Sequence, residues 1–257
     1  MPVSVNTDTV EHSGMNDHVT CLILKSLDYR EADSILTVLT EEYGKVTFFA
    51  RGVRKVHSKN AGQIQLYCKS DFLYDHAEGK TSFTLRTASC LNYYRHMKEN
   101  LSASVASGVI SETVCELLEE GERVEGVFEM TEKAFQLLDE GASTDTVLAL
   151  FLSDLLKVSG LGVHVDSCTL CGSSYVHAVS VEDGGFLCES CARQKGIPLS
   201  SLEELKRFRI LGKGCLAHYD LINGLGGATG KDVILLMAIL RRHSGITVRS
   251  FELYKQL

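Results

Sequence analysis

The chain has 257 residues, 44% hydrophobic and 23% charged with only two prolines, the balance of a globular protein with room for one or two domains. Its longest apolar run, Val233 to Leu240, is far short of the roughly 20 residues that span a bilayer. A net charge of −7 argues against a nucleic-acid partner until its distribution is considered. Residues 44–70 hold six basic side chains (Lys45, Arg51, Arg54, Lys55, Lys59 and Lys69) and no acid, whereas residues 112–145 hold eleven acids and two bases. Local patches, not the mean, decide which polyion docks.

The opening stretch, MPVSVNTDTVEHSGMNDH, has neither the basic start nor the apolar centre of a secretory signal. Residues 1–17 read as a disordered tail, with Met15 an alternative start, and the protein reads as cytoplasmic. From Val19 to Leu91 the period is two. Strands are expected at 19–25, 33–40, 44–52, 63–75 and 81–89, each β-branched or aromatic and separated by Gly, Asn or charge clusters. Five short strands in about 75 residues suit a small closed barrel over 18–93, since closure removes exposed edges. Phe48 and Phe49 are adjacent on the third strand, so one faces the barrel core and the other the outside. With Tyr67 they interleave the cations of 44–70. A cationic groove with aromatics is how such barrels hold single strands; a solvated charged loop is the plainer alternative.

After Tyr94 the period becomes 3.6. Val105, Val109, Ile110, Val114, Leu117 and Leu118 form one stripe ending near Gly121; Val124, Val127, Phe128, Phe135 and Leu138 form a second closed by Gly141. A third helix from Thr144 or Asp145 is apolar on nearly every side and should be the buried centre of a bundle. A cysteine segment at 164–192 divides the helical region into 94–163 and 193–257, with further helices at 200–211 and 231–243. The fold class is therefore α+β and multidomain.

Cys168-x2-Cys171, sixteen residues, then Cys188-x2-Cys191 is the sharpest motif. In a cytosolic chain this spacing reads as a zinc site, not a disulfide framework; redox C-x-x-C pairs or an iron occupant are the alternatives. Four thiolates complete a tetrahedron and leave no open position, so one structural Zn2+ is expected. Cys21, Cys68, Cys90, Cys115 and Cys215 are scattered singly, as small buried hydrophobes would be. Two decoys fail. His76-Ala77-Glu78 with a later C-x-x-C resembles pieces of zinc deaminases, but no Pro precedes Cys168 or Cys188, and Asp75 to Lys80 is more simply a polar hairpin turn. Gly224 to Lys231 is Gly-rich, but Lys231 precedes Asp232 instead of Ser or Thr, so it reads as a loop leading into a helix. No catalytic constellation assembles, and the chain reads as a non-enzyme.

The motif YREADSILTVLTEEYGKVTFFARGVRK (29–55), then Gly160-Leu161-Gly162 ahead of Cys168-x-x-Cys171-Gly172 and Gly184-Gly185-Phe186-x-Cys188-x-x-Cys191, resembles the bacterial DNA repair and recombination mediator family RecO. The resemblance runs from about Val19 to the C-terminus. One departure is Ile64-Gln65-Leu66-Tyr67, which lacks the proline of the family's L-Q-P-F stretch. The resemblance implies an N-terminal OB barrel followed by a helical domain carrying a four-cysteine zinc-finger element. It implies binding of single- and double-stranded DNA, annealing of complementary strands, and partnership with RecR. It also implies engagement of the acidic C-terminal tail of the single-stranded-DNA-binding protein, helping RecA load, and a nucleoid-associated location. Carried over by position, Lys45, Arg51, Arg54 and Lys55 match the family's basic barrel positions, with Lys59 and Lys69 in a more variable region; the four cysteines match the zinc ligands. An OB-fold RNA-binding module with a structural zinc is the rival reading. Arg241, Arg242 and Arg249 are the alternative place for DNA, and the acidic stretch 112–145 is expected to stay clear of it.

Overall fold

The computed structural model describes residues 17–76 and 83–257. Alternating sequence builds its first half: β1 (Asp17–Tyr29), β2 (Asp33–Thr40), β3 (Gly44–Ala50), β4 (Lys69–His76) and β5 (Phe83–Asn92). They close a barrel in the order β1-β2-β3-β5-β4, with β1 pairing back onto β4. All pairings are antiparallel except a short parallel contact in which Phe48 and Phe49 face Phe83 and Thr84. This is the five-stranded Greek-key arrangement of an OB-type barrel. Cys21, Ile23, Leu36, Val38, Val46, Phe48 and Phe72 fill its interior. Leu22, Leu24 and Leu39 point the other way and join the helical core. One wall of the barrel is therefore buried on both faces, which is why VTCLILK is apolar without alternation.

The strand expected over 63–75 begins only at Lys69. Ahead of it, Ala61–Gln63 forms a 3-10 turn and Tyr67 adopts a left-handed φ of 63°. Side-chain amides here replace a strand partner. Asn60 bonds the Arg86 carbonyl and the Ala88 amide at 2.9 and 3.1 Å, and Gln63 Oε1 accepts from Cys90 N at 2.9 Å. Most of the expected turn at Asp75 to Lys80 and the expected tail, Asp17 apart, lie outside the described residues.

The helical region comprises α1 (Arg95–Glu99), α2 (Leu101–Leu117), α3 (Val127–Asp139) and α4 (Thr144–Val158). There follow β6 (Ala178–Ser180), β7 (Gly185–Leu187), α5 (Glu189–Gln194), α6 (Leu202–Lys213), α7 (Tyr219–Gly224), α8 (Gly230–Ser244) and α9 (Ser250–Tyr254). Ten of the fifteen residues of α4 are buried, so this helix is the centre of the bundle as its all-round apolarity requires. Its cap is Ser143, not Thr144 or Asp145: the Ser143 hydroxyl accepts from Thr146 N at 3.4 Å. Gly245 closes α8 at φ 76°, with Arg241, Arg242 and His243 in the last turn. The Gly-rich loop ahead of α8 is no phosphate cradle. The Asp232 carboxylate already occupies that helix start, accepting from Thr229 N and Oγ1 at 2.9 and 2.6 Å and from Arg207 Nε at 3.0 Å.

Candidate nucleic-acid interface and metal centre

The loop leaving β3 carries Arg51, Arg54, Lys55 and Lys59, all exposed. Val53 sits between them with only 3% of its surface accessible and plugs into the barrel core, so its neighbours are turned outward. Backbone bonds fix the loop on the β1–β2 turn: Gly52 N donates to Asp33 Oδ1 at 2.7 Å, and Arg54 N to the Ala32 carbonyl at 3.0 Å. The Arg54 guanidinium pairs with Asp28 at 2.9 Å and reaches the Arg30 carbonyl at 3.4 Å. Arg51, Lys55 and Lys59 have no ion-pair partner among the described residues.

Phe48 is the inward aromatic and Phe49 the outward one. Phe49 lies opposite Ile35, which lies opposite Leu27, giving an apolar row across β3, β2 and β1. Tyr29 meets Phe49 edge-to-face at 6.2 Å, and the Arg30 guanidinium sits 5.1 Å from the Tyr29 ring centroid. The barrel thus presents two half-exposed aromatics beside a loop of cations. Sequence reasoning missed Tyr29 and Arg30. They open the 29–55 motif, but only strand register brings them to Phe49.

Three other members of the 44–70 run face the helices instead. The Lys45 ammonium donates to the Cys115 carbonyl at 2.6 Å and to the Leu118 carbonyl, the open C-terminal end of α2. A cation is favourable there because the helix dipole and unpaired carbonyls are negative. Gly121 N also donates to the Lys45 carbonyl at 2.7 Å, and a Cβ on Gly44 would lie 1.8 Å from the Glu122 carbonyl oxygen. Lys69 pairs with Glu132 of α3 at 2.6 Å, and the Tyr67 ring packs 6.0 Å from Phe135. Lys45, Lys69 and Tyr67 therefore dock the barrel onto the acidic stretch, in place of the solvent-facing roles expected of Lys45 and Tyr67. At the alternative site, Arg242 holds Glu182 through two bonds of 2.9 and 2.7 Å, and Arg241 lies 3.8 Å from Glu252.

The sulfur atoms of Cys168, Cys171, Cys188 and Cys191 all lie within 4.8 Å of one another. The edge of a tetrahedron with zinc–sulfur bonds of about 2.3 Å is ~3.8 Å, and Cys171 and Cys188 stand at 3.6 Å. Local backbone shapes both knuckles. Gly172, at φ 75°, returns its N–H to the Cys168 carbonyl at 2.9 Å, and Cys188 caps α5 with its sulfur accepting from Cys191 N. The β6–β7 hairpin joins the two pairs, and a Cβ on Gly185 would lie 2.3 Å from the His164 carbonyl oxygen. Burial pushes the Cys168 thiol up, but N–H groups of Cys188, Cys171 and Leu170 outweigh this and bring it to about 6. The Cys191 thiol, hydrogen-bonded by Cys188 and partly buried beside its companions, is held up to about 12. Four crowded thiols cannot all ionise alone; a soft divalent cation removes that conflict, so the residues could hold a metal ion. Phe186 packs on Phe208 of α6 at 5.5 Å, which ties the element to the helical core.

A surface contact between Cys215 Sγ and His218 Nδ1 at 3.2 Å has no group orienting the far imidazole nitrogen among the described residues. Among those residues no helix is long and apolar enough to cross a membrane.

Comparison with known proteins accords with this architecture. Residues 15–94 match the family described as Recombination protein O N terminal, and residues 98–214 match Recombination protein O C terminal. The DNA repair protein RecO of Geobacter sulfurreducens is 30% identical over 196 residues, covering 75% of this chain and 79% of the relative. That of Desulforamulus reducens is 31% identical over 174 residues, covering 66% and 67%. That of Bacillus cereus is 26% identical over 244 residues, covering 92% and 95%. A closed five-stranded barrel, a helical body with a four-cysteine cluster, and these matches together place the chain in the RecO family of DNA repair proteins.

Proposed function

We propose that this chain is a recombination mediator that binds single- and double-stranded DNA, anneals complementary strands, and works with RecR to help RecA load onto DNA coated by the single-stranded-DNA-binding protein. The observation that carries the DNA-binding part is the exposed loop bearing Arg51, Arg54, Lys55 and Lys59 beside the outward Tyr29–Phe49 pair. The cations neutralise phosphates along a strand while the rings offer a face on which bases stack. Annealing needs two polyanions brought together and no bond broken, so the chain acts as a binding protein, not as an enzyme. The roles of RecR, RecA and the acidic tail of the single-stranded-DNA-binding protein rest on membership of the family.

The four-cysteine cluster holds one zinc ion in this reading. The ion ties β6, β7 and α5 into one unit and takes no part in DNA chemistry, because four sulfurs complete its shell. The chain works in the cytoplasm at the nucleoid. The test is a titration of fluorescent single-stranded DNA at several salt concentrations, repeated with the complementary strand and with a ribo-oligomer. Four phosphate contacts imply a log–log slope of about −2.8 at ~0.7 per contact. Binding without salt dependence, or tighter binding to the ribo-oligomer, would overturn the reading.

A further inference from the structure

Outside the metal centre, the described cysteines lie singly except at one place. Cys68 stands just before β4 and Cys90 near the end of β5. Their register is offset by a bulge: Ser70 lies opposite Cys90 and Lys69 opposite Asn92. Both thiols sit at one end of the barrel core, and Cys90 Sγ donates to the carbonyl of Lys69, the residue next to Cys68, at 3.7 Å. Cys68 is fully buried, whereas Cys90 is half-buried and within reach of small solutes.

A cation completes the cluster. Lys98, on α1, donates its ammonium to Cys68 Sγ at 2.9 Å and has no carboxylate partner among the described residues. Lysine ammonium groups are normally left in water or given to an acid. Here the positive charge lies on a sulfur whose neighbour is a second thiol, the arrangement that assists thiol chemistry. We propose that Cys68 and Cys90 are an oxidisable pair which hydrogen peroxide closes to a disulfide, with Lys98 as its positioning residue.

Burial, then the neighbouring Cys68, push the Cys90 thiol up to about 11 against the opposing pull of the Lys98 charge. This half-buried sulfur therefore attacks the distal oxygen of the peroxide slowly, through its minor thiolate form. The S–O bond forms, the O–O bond breaks, and the thiol proton leaves with the departing oxygen as water. Cys68 then attacks the sulfenic sulfur. The S–S bond forms, the S–O bond breaks, and hydroxide leaves with the Cys68 proton as a second water. Two thiols lose two electrons and two protons, and the peroxide is reduced to two waters. Lys98 stabilises the Cys68 sulfur as its proton departs. A diagonal cross-strand pair is wider at Cα than most disulfides, so closure draws β4 and β5 together at the bulge.

The place gives the bond a consequence. The Cys68 carbonyl accepts from Ile23 N at 3.0 Å, Lys69 next to it holds Glu132 of α3, and Lys98 itself rides on α1. Oxidation would pin the barrel at its junction with the helices and release Lys98 from its sulfur.

The experiment treats the full, metal-loaded chain with one equivalent of hydrogen peroxide and digests it with trypsin without reduction. Cleavage after Lys59, Lys69, Arg86 and Arg95 yields peptides 60–69 and 87–95, each with one cysteine. The expected product is these two peptides joined with loss of two hydrogens, separated again by dithiothreitol. Lys98→Met should slow the linkage several-fold, and Lys98→Arg should recover part of it. Circular dichroism and melting establish that each variant is folded, and Cys90→Ser should abolish the product. Linkage of 60–69 to any other peptide, including the one holding Lys98, would overturn the pairing. So would oxidation of Cys168 to Cys191 with loss of metal while 60–69 and 87–95 stay unlinked. An unchanged rate in folded Lys98→Met would remove the lysine from the proposal.

Discussion

Replacing Arg51, Arg54 and Lys55 together by Ala removes three of the four exposed cations of the β3–β4 loop without removing what shapes it. Val53 remains in the barrel core, and the bonds from Gly52 N to Asp33 and from Arg54 N to Ala32 are made by backbone. The pair lost, Arg54 with Asp28, is solvent-exposed on both sides, so folding should be little affected. At ~0.7 per phosphate, the slope for single-stranded DNA should fall from about −2.8 to about −0.7. Between 50 and 200 mM salt the wild type should then lose about 50-fold in affinity and the variant only about 3-fold. The loss should be alike for all sequences, since phosphate contacts carry no base information, and annealing should fall with it. Fluorescence anisotropy at four or five salt concentrations measures both slopes. A folded variant with an unchanged slope would refute the placement and direct attention to Arg241, Arg242 and Arg249.

Phe49→Ala should behave in the opposite way, weakening single-strand binding by about 1–3 kcal/mol with the slope unchanged, because stacking is not electrostatic; an altered slope would contradict its role. Lys45→Met should leave DNA binding alone but destabilise the chain by about 1–3 kcal/mol in urea unfolding, since the Cys115 and Leu118 carbonyls lose a charged donor. Cys168→Ser should release the metal and loosen 164–192, with metal binding contributing on the order of 10 kcal/mol of local folding energy in small zinc modules, while the barrel still binds DNA. Retention of one equivalent at full affinity would refute four-sulfur ligation. Burial pushes the Glu112 carboxyl up, but the Ser250 hydroxyl and amide and the Arg249 amide hold it below its ordinary range. A lowered folded pKa gives stability that is complete above about pH 4.3 and fades as pH falls through the folded value. The stability gap between wild type and Glu112→Gln should therefore shrink in acid melts, and a gap that widens would reverse the sign.

Much of this protein is determined by the sequence through patterns that local physics imposes. A pleated strand alternates every residue, so Asp33–Thr40 can be read directly, as can the rule that one of Phe48 and Phe49 faces inward, though not which. A helix repeats every 3.6 residues, so α2, α3, α4 and α8 announce themselves, whereas α7 and α9, of six and five residues, are too short to show a period. The cysteine cluster is legible because each C-x2-C turn places two ligands on one metal within four residues. Tertiary structure alone decided which cations are free. In the sequence Lys45 and Lys69 look no different from Arg51 and Lys55. Yet Lys45 finds a carbonyl 70 positions away and Lys69 a carboxylate 63 positions away, while the loop between them is held out in water. The same holds for Tyr29 and Arg30, which join Phe49 through register across three strands. Whether a charge meets solvent, a helix end or an acid depends on segments that only folding brings together, and no local window of sequence contains them.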